Sequence, residues 1–210
     1  TQMGRAPVVG LGPRSTVVGG LRVQTLGGDA CQGVHVADAP DVTVYGGIEV
    51  RSSTPGAGKA NIRDNGVRVI NSPRFTADRV YVENYSWPVW VELSNDVEFG
   101  RLEASSYAKA VHVDGCSNFR INGGHVYGTA PNSQYAPGYN GLLIEADEPT
   151  TSIHVKDFTV EDAGEHGVRL SGFRTQSNIW FDHCMARNSG GSGFKVLGGD
   201  DNENGFRNRG

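Results

Sequence analysis

Apolar residues along this chain recur in short alternating runs, with polar residues and glycine between them. A small residue followed by apolar–any–apolar occurs as GVHV (33–36), GVRV (66–69), PVWV (88–91) and AVHV (110–113). The same unit returns as GLLI (141–144), GVRL (167–170) and GFKV (193–196). The first apolar positions, Val34, Val67, Val89, Val111, Leu142, Val168 and Phe194, are separated by 33, 22, 22, 31, 26 and 26 residues. A second run follows each of the first six: DVTV (41–44), RFTA (74–77), DVEF (96–99), NFRI (118–121), SIHV (152–155) and NIWF (178–181). A looser third pair comes next, such as Val80 and Val82, Leu102 and Ala104, or Phe158 and Val160. Period-2 alternation in short segments predicts strands, and no stretch carries helical spacing.

Three short strands repeated at a near-constant interval predict an all-β, right-handed parallel β-helix of about seven coils. Successive coils of such a solenoid lie about 4.8 Å apart, so residues of equal phase stack into ladders. Inward positions build an apolar column and outward positions build stripes that a partner can read. One domain is expected over residues 1–210, continuing in a longer polypeptide. The longer steps imply insertions at about 52–64 and 129–140, both between a third strand and the next first strand. They should project from one corner and wall a shallow cleft floored by the two plain coils between them.

Glycine, at 30 of 210 residues, is about twice as frequent as usual, which fits many tight turns. Net charge is −4 with both signs interspersed, so no basic stripe calls for nucleic acid. No run of 18 apolar residues suggests membrane insertion. Three scattered cysteines (Cys31, Cys116 and Cys184) fit neither a disulfide framework nor a zinc site. Cys116 and Cys184 read as buried free thiols.

The ladder rule then brings candidate chemistry together. The residue closing each first strand reads Ala37, Ile70, Glu92, Asp114, Glu145, Ser171 and Leu197, so three acids fall on consecutive coils. Like charges at that spacing raise a pKa, and paired carboxylates are what glycosidic cleavage uses. Glu92, Asp114 and Glu145 are therefore the catalytic candidates. The same triplet could hold a divalent cation, and solvated acids that splay apart are the structural alternative. No other cofactor is implied.

Aromatic residues crowd the same region: Tyr85, Trp87, Trp90 and Tyr107 on the plain coils, Tyr135 and Tyr139 in the second insertion. Trp90 holds an outward slot whose phase elsewhere carries His35, Arg68, His112, Arg169 and Lys195. An exposed indole beside imidazole and cationic groups suits a sugar ring. Trp90, Trp87, Tyr85, Tyr107, His112, Tyr135 and Tyr139 are thus the substrate-binding candidates. Packing against a loop is the alternative. A mixed stripe, Thr43, Thr76, Glu98, Arg120, His154 and Trp180, reads as a subunit interface with Trp180 as its anchor. Lys156 over Asp182, Asp157 over His183 and Glu161 over Arg187 read as surface pairing.

VVGLGPRSTVV (8–18), GEHGVRL (164–170) and NSGGSGFKV (188–196) resemble the glycine-led coils of the pectate-lyase-like β-helix superfamily, and within it phage tail spikes and fibres. The plain pectinase pattern is not followed: Glu165-His166-Gly167 only approximates one element, and Asp200-Asp201 follows it instead of preceding it. The resemblance implies a module of a virion tail, extracellular, that binds host cell-surface polysaccharide. It implies a homotrimer in contact with other virion proteins. A polysaccharide hydrolase or lyase on the same fold, a structural adhesin-type stalk, and another secreted β-helix are the alternatives.

Overall fold

The computed structural model describes residues 7–26, 32–53, 64–105, 107–128 and 137–197. Among these residues there are twenty strands and no helix, and every paired strand runs parallel to its neighbour. The sheets are open rather than closed into a barrel, consistent with a parallel β-solenoid.

The first sheet stacks β1 (Val9–Leu11), β4 (Gln32–Ala37), β7 (Asn65–Ile70), β9 (Trp87–Glu92), β11 (Lys109–Asp114), β14 (Asn140–Ala146), β17 (Val168–Gly172) and β20 (Phe194–Val196). β1 precedes the seven strands that the motif marks. The register is the expected one: Val34, Val67, Val89, Val111, Leu142 and Val168 are successive partners. All six are buried, as are Val36, Val69, Val91, Val113, Ile144 and Leu170 two residues on. Gly33, Gly66, Gly141 and Gly167, which open their motifs, have a packing cause. A Cβ on Gly66 would meet the Val82 side chain at 2.2 Å and the Pro88 carbonyl oxygen at 2.9 Å.

The second sheet carries both later strands. One ladder holds β2 (Thr16–Val17), β5 (Thr43–Val44), β12 (Ser117–Ile121), β15 (Thr150–Lys156) and β18 (Gln176–Asp182). The other holds β3 (Leu21–Thr25), β6 (Ile48–Ser52), β13 (Gly124–Tyr127), β16 (Phe158–Glu161) and β19 (Met185–Arg187). Between them, β8 (Thr76–Glu83) and β10 (Val97–Ser105) run unbroken through both ladders, where the repeat predicts two strands each. The cause lies at the corner. Gly46, Gly47, Gly124, Asp157 and His183 have positive φ and turn the chain there, whereas Asp78 and Gly100 at the same corner do not.

Other corners are ladders in their own right. Asp38, Asn71, Leu93 and Gly115 all hold left-handed φ just after the first-sheet strands. There the amides of Asp38, Asn71 and Leu93 donate to the carbonyls of Ile70, Glu92 and Asp114 on the next rung. Just inside, the Ser72 hydroxyl accepts the Ala39 amide and the Ser94 hydroxyl accepts the Ser72 amide. Cys116 is buried, its thiol 3.1 Å from the Asp114 carbonyl, and burial pushes that thiol up to about 12. Cys184 is only half-buried, short of the expectation. Lys156 and Asp182 are register partners, Arg187 donates to Glu161 at 2.8 Å, and His183 lies 3.6 Å from Asp157.

Phe75, Phe99 and Phe119 stack down the core on consecutive rungs, with ring centroids 5.8 Å apart in each pair. Phe99 is wholly buried between the other two, so its loss cannot be filled from either side. Phe99→Ala should lower the unfolding free energy by about 3–5 kcal/mol. Denaturant titration checks this, and a loss under about 1 kcal/mol would contradict the stacked core.

Candidate functional site

The outward column of the first sheet brings His35, Arg68, Trp90, His112, Leu143, Arg169 and Lys195 into successive register. Its centre is not an open platform. The Arg68 guanidinium lies 4.4 Å over the Trp90 ring, and His112 stacks on that indole at 5.6 Å and 12°. Trp87 packs against Trp90 at 4.9 Å and edge-on to His112 at 5.4 Å, with the Lys109 ammonium 4.4 Å from its ring. Trp90 is 8% exposed, Trp87 6% and His112 5%. The expectation of an exposed Trp90 is therefore corrected: cation–π and ring stacking along the column cover it. Tyr85 and Tyr107 are buried as well, the Tyr85 hydroxyl lying 2.8 Å from Thr25 Oγ1. Tyr139 is half-buried, and Tyr135 lies outside the described residues, as does most of both insertions.

Glu92, Asp114 and Glu145 occupy consecutive rungs in the expected register. Their side chains part company. Arg68 donates to Glu92 at 3.2 Å, and His112 Nε2 lies 2.8 Å from Glu145 Oε2. Asp114 Oδ1 accepts the backbone N–H groups of Asp147, at 3.0 Å, and Glu148, at 3.4 Å. The hydrogen bond from His112 outweighs burial at Glu145 and holds that carboxyl below its ordinary range. Burial, partly offset by the two amides, pushes Asp114 upward. The expected mutual repulsion of the three acids is thus not the main cause. Among the described residues no three His, Cys, Asp or Glu side chains gather to hold a metal ion.

A second buried polar cluster escaped the sequence reading, although its Glu-His-Gly triplet stood out. Glu165 accepts the Gly138 N–H at 2.9 Å, and Asn140 and Arg169 each approach it at 3.4 Å. His166 Nδ1 accepts the Ser192 N–H at 3.0 Å, and its Nε2 lies 3.5 Å from Glu165. Both side chains are buried, and together they tie three successive rungs.

The most open chemistry lies on the second sheet. Thr43, Thr76, Glu98, Arg120, His154 and Trp180 stack in the expected order. Trp180 is 51% exposed, edge-on to His154 at 6.4 Å. A hollow of about 390 Å³ beside it is lined by Asn118, Arg120, Asn122, Ser152, His154 and Trp180. A smaller one of about 130 Å³, lined by Thr76, Asp96, Val97 and Glu98, shares Asn118 and Arg120 with it. Asn118 and Asn122 are oriented by hydrogen bonds to Asp96, at 2.9 Å, and Glu98, at 2.7 Å. Sequence reasoning found this stripe but not the hollows, because adjacent asparagines at strand ends carry no repeat signal. Compared with known proteins, the chain matches no family model, no curated protein and no solved structure.

The Glu165–His166 cluster predicts a pH dependence. Burial holds His166 below its ordinary value of 6.5, and only an unprotonated Nδ1 can accept the Ser192 amide. A folded pKa below the unfolded one gives stability that is complete above about pH 6.5 and is lost as pH falls through the folded value. Burial raises Glu165, but the Gly138 amide, His166, Arg169 and Asn140 outweigh it, so its contribution is lost only below about 4.5. The melting temperature should fall in two stages on acidification. His166→Asn, which keeps an acceptor for Ser192, should shrink the first stage, leaving the part that His35 contributes because burial also holds it below 6.5, and should spare the second. An unchanged first stage would remove His166 from the account.

Proposed function

We propose that the chain forms a right-handed parallel β-helix of about seven coils, of the pectate-lyase-like kind used in phage tail spikes and fibres, and that it binds host cell-surface polysaccharide. The observation that carries this reading is Trp180, half exposed beside the hollow lined by Asn118, Arg120, Asn122, Ser152 and His154. A flat apolar ring among amide and cationic groups suits a saccharide, which presents an apolar ring face and a rim of hydroxyls. Rungs rise by about 4.8 Å, close to the length of one pyranose, so a polymer lying along the stripe meets one rung per sugar. An extracellular place on a virion tail, a homotrimer and contacts with other virion proteins belong to the same proposal.

A second reading, polysaccharide hydrolase or lyase, is favoured by one specific observation. Asp114 is pushed up while its rung neighbour Glu145 is held down, and acid–base pairs are built from such divergence. Glycosidic cleavage would need the raised carboxyl as the proton donor.

Binding to a panel of bacterial surface polysaccharides tests the first reading. Trp180→Ala should weaken the best ligand about tenfold or more, the loss of one stacking platform, at unchanged molecular mass. Loss of the oligomer instead would make the stripe a subunit interface. Where reducing or unsaturated ends appear, Asp114→Asn should cut their rate about a hundredfold with binding retained. An Asp114→Asn variant as active as the parent would end the enzyme reading.

A further inference from the structure

A separate hollow of about 400 Å³ lies where the second sheet turns its corner, lined by Gly19, Gly20, Gly46, Gly47, Arg22, Glu49, Arg51, Arg79 and Tyr81. It exists because two rungs carry glycine at the phase where the next carries Arg79. Leu21, Ile48 and Val80 are register partners, so Gly20, Gly47 and Arg79 stack just before them. These glycines cannot be exchanged for larger residues. A Cβ on Gly20 would meet the Gly46 carbonyl oxygen at 2.7 Å, and one on Gly47 the Arg79 carbonyl oxygen at 3.0 Å.

Three strands, β3, β6 and β8, each send one guanidinium to this hollow. Their carboxylate partners are shared, and the Asp78 carboxylate at the same corner is taken up by the Gly46 amide at 3.0 Å. Arg22 and Arg51 share Glu49 at 3.3 and 2.8 Å, and Arg79 and Arg101 share Glu103 at 2.6 and 2.7 Å. Glu83 adds one contact to Arg51 at 3.0 Å. Four guanidiniums, Arg22, Arg51, Arg79 and Arg101, thus meet three carboxylates, Glu49, Glu83 and Glu103, and only Glu49 lies in the wall of the hollow. Each guanidinium carries five N–H donors, and among the described residues the carboxylate bonds of Arg51 and Arg79 use three of their ten. Exposed pairs of this kind exchange partners at little cost.

We propose that this hollow binds a tetrahedral oxyanion, a phosphate or sulfate group, either free or carried on a saccharide. A planar carboxylate is satisfied by one fork of donors, whereas a tetrahedral anion offers oxygens in several directions and can take three guanidiniums from three rungs. The site is independent of the Trp180 stripe and does not need the polysaccharide reading to hold.

Calorimetric titration of the full chain with inorganic phosphate tests it, with glucose 6-phosphate and glucose as the other arms. Saturable phosphate binding is expected, about tenfold weaker in Arg22→Gln/Arg79→Gln and a few-fold tighter in Glu49→Gln, which frees Arg22 and leaves Arg51 to Glu83 alone. Arg174→Gln, the same one-charge change as Arg22→Gln but made elsewhere, and Trp180→Ala should leave phosphate affinity unchanged. If the double variant fails to fold, Arg22→Gln alone, on an 88% exposed side chain, should still weaken binding measurably. Tighter binding of glucose 6-phosphate than of phosphate identifies a saccharide-borne group, and equal binding identifies the free ion. Absent saturable binding, or an equal loss in Arg174→Gln, would overturn the proposal.

Discussion

Everything here depends on one constraint: parallel strands of successive rungs must pair in register, residue over residue, at about 4.8 Å. A slip of one residue would turn every inward valine outward. The apolar columns through Val89 and Val111 enforce the register from inside, and the left-handed corner residues Asp38, Asn71 and Leu93 enforce it by handing their amides to the next rung. Leu93 shows how strong the constraint is. A bulky side chain at φ 50° is costly, yet there its amide reaches the Asp114 carbonyl of the next rung at 3.0 Å.

The same constraint creates the surface chemistry. Because equal phases stack, many ion pairs and hydrogen bonds join residues 22 to 33 positions apart, as Arg68 with Glu92, or Arg74 with Asp41. Stacking can concentrate charge, as in the shared carboxylates around Arg22 and Arg79, or cover an aromatic ring, as at Trp90. The two tryptophans illustrate the difference. Trp90 has Arg68 on one rung and His112 on the other, both flat groups that close over it, whereas among the described residues Trp180 meets His154 edge-on and stays half exposed.

That contrast marks what could be read from sequence. The strands and their register were legible, since a small residue and two apolar positions repeat often enough to fix phase, and Glu92, Asp114 and Glu145 fall where the phase puts them. Side-chain direction was not legible. Phase says that three acids are neighbours, but not that Arg68 draws one away, His112 another, and two backbone amides the third. The exposure of an outward tryptophan was equally hidden, because it depends on the shape of the rungs above and below rather than on its own slot. Fusion of strands in β8 and β10 depended on which corner residues take positive φ, and the aspartate and glycine there give no unique signal.

Register is therefore the claim on which the rest stands, and methyl-resolved NMR of the labelled chain tests it without altering a residue. The account predicts contacts from Val89 to Val111 and from Val111 to Leu142, with none from Val89 to Leu142 across two rungs. Contacts pairing Val89 with Val113, or Val111 with Ile144, in place of these would mean a shifted or antiparallel stack, and the ladders described here would not exist.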